Sequence, residues 1–149
     1  MRIIAGKYRS LPLEAVKGNN TRPTTDKIKE AVFNSIGPYF DGGMMLDLYA
    51  GSGSVGLECI SRGIEHAVFV DKSYDAISTI KKNIAFVKVP SQCTVLKMDA
   101  MMAVKRLATE GKKFDLVYLD PPYRRQENEA MVEKLCEADV LAEDAVVVI

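Results

Sequence analysis

Asp120-Pro121-Pro122-Tyr123 closes an apolar run, FDLVYLD, that has the composition of a buried strand. Proline has no N–H to give a ladder and fixes its own φ, so the strand must end there and the turn must be stiff. Such a turn leaves outward carbonyls beside a carboxylate. Asp120 and a proline carbonyl can accept both hydrogens of an exocyclic amine, and Tyr123 offers a flat face for a base to stack on. The chemistry suggested is attack by an NH₂ group on an electrophile. Positioning does most of the work there, and the carboxylate stabilises the positive charge that grows on the amine.

A second group of residues lies upstream. Gly51-Ser52-Gly53-Ser54-Val55-Gly56 follows the apolar run MMLDLYA and opens a helix-like segment, and Asp71 comes 20 residues after Gly51. This is formally the dinucleotide fingerprint, with glycines for a tight turn and an acid for ribose hydroxyls. By itself the loop suits a nicotinamide or flavin cofactor and S-adenosylmethionine about equally. Asp47 and Asp99 favour the latter. Asp47 can take the ammonium of a methionine moiety, whereas a pyrophosphate would be repelled by extra carboxylates. Asp99 can accept from an adenine amino group, the competing role for it being a helix N-cap.

These residues need elements to hold them. Apolar strand-like runs at MMLDLYA, HAVFVD, CTVLKMD, FDLVYLD and AVVVI alternate with helical segments GLECISR, SYDAISTIKKNIAFV, AMMAVKRLA and about Asn128–Glu137. Ala76, Ile77, Ile80, Ile84 and Val87 share one helix face. Strands alternating with helices imply a doubly wound, mostly parallel α/β sheet with both faces covered. Asp47, Asp71, Asp99 and Asp120 then all fall at strand carboxyl ends, where ligands bind in such sheets. Residues 1–40 read as a small extension: short strands at RIIAG and LPLEAV, then a helix capped by Thr24 or Thr25. That helix places Ile28, Ala31, Val32 and Ile36 at helical spacing and stops at Gly37-Pro38. Residues 41–149 form the core, and the whole chain reads as one domain.

The chain has 149 residues, 48% of them apolar and 27% charged, an ordinary globular composition with zero net charge. The charge is uneven. Residues 1–36 carry seven Lys/Arg against three acids, so a basic arm sits on an acidic body and hints at a polyanion partner. No apolar run reaches the ~20 residues of a membrane span, and the start lacks a signal-peptide pattern; a cytoplasmic protein is expected. Cys59, Cys93 and Cys136 are far apart, His66 is the sole histidine, and neither a metal site nor a disulfide framework is expected. Each cysteine reads as core filler.

Together, RPTTDKIKEAVFNSIGPYF, LDLYAGSGSVGLECISRG and LDPPYRR resemble the bacterial 16S ribosomal RNA guanine-N2 methyltransferases of the RsmD type, across essentially the whole chain. The resemblance implies a Rossmann-like fold and transfer of methyl from S-adenosylmethionine to guanine N2. Asp47, Gly51 and Gly53 would line the methionine part of the cofactor, and Asp71 would hold the ribose hydroxyls. Asp99 and Ala100 would face the adenine, and Ala50, Ser52 and Lys72 would also bind the cofactor. Asp120, Pro121, Pro122 and Tyr123 would hold the target base. Lys7, Arg9, Arg22, Thr24, Arg124 and Arg125 would contact RNA. The partner implied is 16S ribosomal RNA, within a partly assembled small subunit, met by a monomer. The arm departs from the family's frequent Arg-Gly-Arg, reading Arg9-Ser10-Leu11-Pro12. Proteins of this class usually add two more strands after the fifth, so C-terminal strands are expected to be missing here. Other acceptors, DNA adenine N6 or a protein amide, share the DPPY chemistry but not the RPTTD segment. A dinucleotide-dependent oxidoreductase would have no use for DPPY. A non-catalytic RNA-binding assembly factor of the same fold is the remaining alternative.

Overall fold

The structure is a computed structural model and describes residues 1–17, 25–121 and 125–149, with the side chains of 125–127 left aside. Its centre is a five-stranded parallel sheet in the order β3-β2-β1-β4-β5. The strands are β1 (Met44–Asp47), β2 (His66–Asp71), β3 (Cys93–Lys97), β4 (Phe114–Tyr118) and β5 (Leu141–Val148). The helices are α1 (Asp26–Ile36), α2 (Ser54–Ser61), α3 (Tyr74–Val87), α4 (Ala100–Thr109) and α5 (Arg125–Glu137).

The period-2 alternation of each strand divides the core into two layers. Met45, Ala67, Phe69, Leu116 and Tyr118 face α2 and α3, which contribute Val55, Leu57, Ile60, Ile77, Ile80 and Ile84. Leu46, Val68, Val70 and Val117 face α4 and α5, which contribute Ala103, Val104, Leu107, Met131 and Leu135, and Phe114, at the start of β4, joins this layer out of step with the alternation. Gly56 lets α2 lie close on the sheet. A Cβ there would meet the Phe69 ring at 2.2 Å.

Several boundaries differ from the sequence reading. β1 ends at Asp47, because Leu48 to Ala50 already turn toward the glycine loop and the Tyr49 N–H bonds Asp47 Oδ1 at 3.2 Å. α5 begins at Arg125 rather than Asn128. β5 begins at Leu141, four residues before the apolar run. Its register shifts between Phe114 and Leu116, with Asp144 at φ 62°, so a bulge absorbs the polar residues that masked the strand. The arm pairs only at an antiparallel bridge, Arg2 to Pro12, rather than forming two strands. Thr25 caps α1, accepting from the Ile28 N–H at 3.2 Å.

α1 turns inward a face shifted from the expected one: Val32 and Ile36 pack against the core, but Ile28 is 54% exposed, while Lys29 and Phe33 are buried. A charge cluster explains this. Glu58 of α2 lies 0% exposed, with Lys29 Nζ at 3.2 Å and Arg62 Nε at 2.7 Å. Its two oxygens also accept the Ile4 and Ala5 N–H groups at 2.9 and 3.1 Å. Lys29 donates to the Arg2 carbonyl at 2.7 Å, and Arg62 to the Pro38 carbonyl at 3.0 Å. The Arg62 guanidinium lies 4.8 Å above the Phe33 ring. Burial pushes the Lys29 ammonium below its ordinary range, and Glu58 pulls it back up.

Of the cysteines, only Cys59 is core. Cys93 is half-buried and Cys136 exposed, because α5 turns that position to solvent. No helix among the described residues is long and apolar enough to cross a membrane.

Removing one partner from a buried pair leaves the other charge uncompensated, so Glu58→Ala is expected to cost about 3–5 kcal/mol in urea unfolding. Arg106→Ala, which breaks the exposed pair with Glu110, should cost under about 1 kcal/mol. A Glu58→Ala protein as stable as its Arg106→Ala counterpart would refute the cluster's role.

Candidate active site

The chain runs outward from β1 to β2 and β3 on one side, then returns to β4 and β5 on the other. The strand order therefore reverses between β1 and β4, and ligand crevices of open α/β sheets form outside the carboxyl ends at such a point. The glycine loop after β1 and Asp120 after β4 flank it, with Asp47 paired to Phe69 on one side and Tyr118 on the other.

The loop is held from below. Ala50 N–H bonds the Val70 carbonyl at 2.9 Å. Gly51 N–H bonds Asp71 Oδ2 at 3.0 Å, and the other oxygen of Asp71 takes the Ser73 N–H at 2.9 Å. Asp71, read from sequence as a ribose acceptor, is thus also the strut that sets the loop's height, and its remaining lone pairs are still available to hydroxyls. Gly51 and Gly53 have φ of 57° and 84°, a region that disfavours side chains, and no atom of the described residues lies within 4 Å of where a Gly51 Cβ would stand. That open space over a backbone turn is what a cofactor needs for close approach. The residues present fit S-adenosylmethionine.

Asp47 is 1% exposed beneath this loop. Its carboxyl is raised to about 7, first by burial; the Tyr49 N–H pulls the other way, and the charges of Asp71 and Asp120 add to the rise. The charges at the ends of β2 and β4 therefore reach Asp47. Asp99 occupies the N-cap position of α4 but makes no capping hydrogen bond, and it is exposed, so its carboxylate is free for other work. Ala100 is buried at the start of α4, and Lys72 is exposed just past Asp71. Asp120 is exposed and Pro121 half-buried.

Other expected residues lie apart from the crevice or outside the description. Lys7 and Arg9 are exposed on the arm, with the Lys7 ammonium 5.6 Å from the Tyr8 ring. Arg22, Thr24, Pro122, Tyr123 and Arg124 lie outside the described residues, and Arg125 is described only as the first residue of α5. A cavity of about 380 Å³ opens at the opposite, amino-terminal edge of the sheet, lined by Ile36, Tyr39, Phe40, Leu116 and Val146 among others. It includes none of the residues above.

Sequence reasoning missed Asn83. This residue of α3 is 2% exposed and bonds the Ser52 carbonyl of the glycine loop at 2.8 Å. An Asn among the apolar positions of an amphipathic helix was the available signal.

Among solved structures, the putative methyltransferase yhhF of Escherichia coli superposes with a TM-score of 0.84 at 32% identity, over 99% of this chain and 79% of that one. Strand order, glycine loop and converging acids define the class: a Rossmann-like, S-adenosylmethionine-dependent methyltransferase. Within that class, the chain belongs to the family described as Conserved hypothetical protein 95, whose match spans residues 1–149. Two relatives are the putative rRNA methyltransferase YlbH of Bacillus subtilis and the ribosomal RNA small subunit methyltransferase D of Escherichia coli K12. The first is 45% identical over 99% of this chain and 80% of its own length. The second is 33% identical over 99% of this chain and 72% of its own length.

The raised carboxyl of Asp47 has a measurable consequence. Below pH 4 it holds a proton in both folded and unfolded chains. Between about 4 and about 7 only the folded chain keeps it, so its contribution falls as pH rises through that window. The ligand-free Asp47→Asn variant should therefore gain on the parent by roughly 2–4 kcal/mol at pH 8, and the gain should vanish near pH 4. Thermal melts of both proteins across pH read this directly; a pH-independent difference would show that Asp47 ionises normally.

Proposed function

We propose that this chain transfers a methyl group from S-adenosylmethionine to the exocyclic N2 amine of a guanine in small-subunit, 16S ribosomal RNA. The observation that carries the reading is the placement of Asp120. It stands exposed at the carboxyl end of β4, across the switch point from the glycine loop, near enough for its charge to act on Asp47. The names of the relatives at 45% and 33% identity support ribosomal RNA as the acceptor class.

The cofactor supplies an electrophilic methyl on a positively charged sulfur. The chain supplies the rest. Asp47, Gly51 and Gly53 would hold the methionine part, Asp71 the ribose, and Asp99 and Ala100 the adenine, with Ala50, Ser52 and Lys72 as further cofactor contacts. Asp120 and the Pro121 carbonyl accept the two amine hydrogens and aim the nitrogen lone pair at the methyl carbon. As the new N–C bond forms, the sulfur–methyl bond would break and leave the neutral thioether S-adenosylhomocysteine, while Asp120 stabilises the positive charge on the amine. The proton is lost afterwards to water, so Asp120 need not be a strong base. Pro122 stiffens the turn and Tyr123 stacks on the guanine. The base must be unpaired or flipped to reach the strand ends.

Lys7, Arg9, Arg22, Thr24, Arg124 and Arg125 form the phosphate-facing set, supported by the basic balance of residues 1–36. A chain of zero net charge binds RNA weakly without a specific fit. A partly assembled subunit, with its proteins already placed, is therefore the favoured substrate for this monomeric, cytoplasmic, single-domain enzyme.

Asp120→Ala is expected to reduce methyl transfer about 10²–10³-fold, an effect of oxyanion-hole size, while calorimetric affinity for S-adenosylmethionine stays within about threefold, roughly 0.6 kcal/mol. Loss of both would move Asp120 into the cofactor site. Arg9→Ala should weaken RNA binding more at low salt than at high salt and reduce the salt slope by about one. An unchanged slope would remove Arg9 from the interface.

A further inference from the structure

The arm and the glycine loop are far apart in sequence, yet one buried side chain joins them. Asn83 Oδ1 accepts the Glu14 N–H at 2.9 Å, and its Nδ2 donates to the Glu14 carbonyl at 3.0 Å. The carboxamide pairs with the Glu14 backbone as a neighbouring strand's peptide would. The same Nδ2 donates to the Ser52 carbonyl in the glycine loop at 2.8 Å. A second contact runs parallel to it, Ser52 Oγ reaching Met1 Sδ at 3.6 Å.

From these anchors the arm continues as a paired unit. Leu13 N–H bonds the Met1 carbonyl at 2.9 Å, Ile3 N–H bonds the Leu11 carbonyl at 3.0 Å, and Ser10 N–H bonds the Ile3 carbonyl at 2.8 Å. Its tip carries the exposed Lys7 and Arg9, and α2 holds that tip through Ser61, which accepts the Lys7 N–H at its carbonyl and the Tyr8 N–H at its hydroxyl. The base of the arm thus rests on the loop that meets the cofactor, and its tip presents the cations assigned to RNA.

We infer that Asn83 is a positioning residue that makes the glycine loop and the amino-terminal arm respond together, so that filling the cofactor site orders the arm before RNA arrives. The consequence for binding order rests on the RNA reading above; the coupling itself does not. A ligand that stiffens Ser52 holds one end of the Asn83 amide, and the amide then holds Glu14 more firmly. Ordering that one ligand has already imposed lowers the cost for the next, and the coupling is reciprocal.

Amide hydrogen exchange of the full chain, with and without saturating S-adenosylhomocysteine and with no RNA present, tests this. In the parent, ligand is expected to slow exchange at 51–54 and, by roughly fivefold or more, the low end of ordinary site-to-site coupling, at Leu13 and Glu14. In Asn83→Ala, loop protection should persist at saturation while the arm exchanges equally fast with and without ligand. Asn83→Asp, which keeps the acceptor for the Glu14 N–H but loses the amide donor to the Ser52 and Glu14 carbonyls, should behave as Asn83→Ala does and serves if that variant folds poorly. An arm in the parent that ignores the ligand, or an arm in either variant that responds as strongly as the parent's, would overturn the inference. A parent loop that gains no protection would sink the cofactor site and the coupling together. Because no RNA is in the sample, failure of the ribosomal RNA reading would leave this result standing.

Discussion

The outer surface of α2 is where this fold is decided, and Glu58 decides it. A two-layered sheet would normally leave that surface to water. Here all eight residues of α2 are buried, because the arm and α1 cover it. A carboxylate at zero exposure is costly unless paired and hydrogen-bonded. Glu58 is paired with two cations and accepts two backbone N–H groups from the arm. The cluster specifies which segment covers α2 and in what register. An apolar surface would have attracted the arm without fixing its register.

What the cluster fixes then bears on the chemistry. α2 begins at the glycine loop, and the arm that Glu58 and Ser61 hold runs back to Ser52 through Met1 and Asn83. The loop is therefore clamped from both sides, by Asp71 below and by the arm beside it. Beside it lies Asp47, whose proton affinity is raised by burial and further by the charges of Asp71 and Asp120. A ligand carrying an ammonium, a sulfonium and ribose hydroxyls relieves each of these costs at once. A pyrophosphate would worsen them. The same loop geometry serves both kinds of cofactor, so the acids rather than the glycines discriminate.

The α/β alternation, the five strands, the loop and the four strand-end acids were legible because each rests on short-range pattern: apolar runs, helical spacing, turn residues. Thr25 and the Gly37 stop were readable for the same reason. The start of β5 was hidden, because Glu143 and Asp144 interrupt the apolar run and only the bulge against β4 makes sense of them. The inward face of α1 was legible in part. Val32 and Ile36 pack as their spacing implies, but Ile28 is exposed, and the buried ion pair with Glu58, 29 positions away in sequence, holds Lys29 inward instead. Asn83 and Glu58 escaped notice because most of their partners, backbone groups of the arm and the glycine loop and the Lys29 ammonium, lie 29 to 69 residues away. No local pattern reports a long-range hydrogen bond.

The central claim concerns which atom receives the methyl group. Its most direct test is to incubate the full chain with methyl-labelled S-adenosylmethionine and small-subunit particles lacking the modification, then digest the RNA to nucleosides and identify the labelled product by mass spectrometry. The account predicts N2-methylguanosine at a single position, absent when Asp120→Ala replaces the parent. Label on adenine N6, on protein, or on no product despite measured cofactor binding would contradict it.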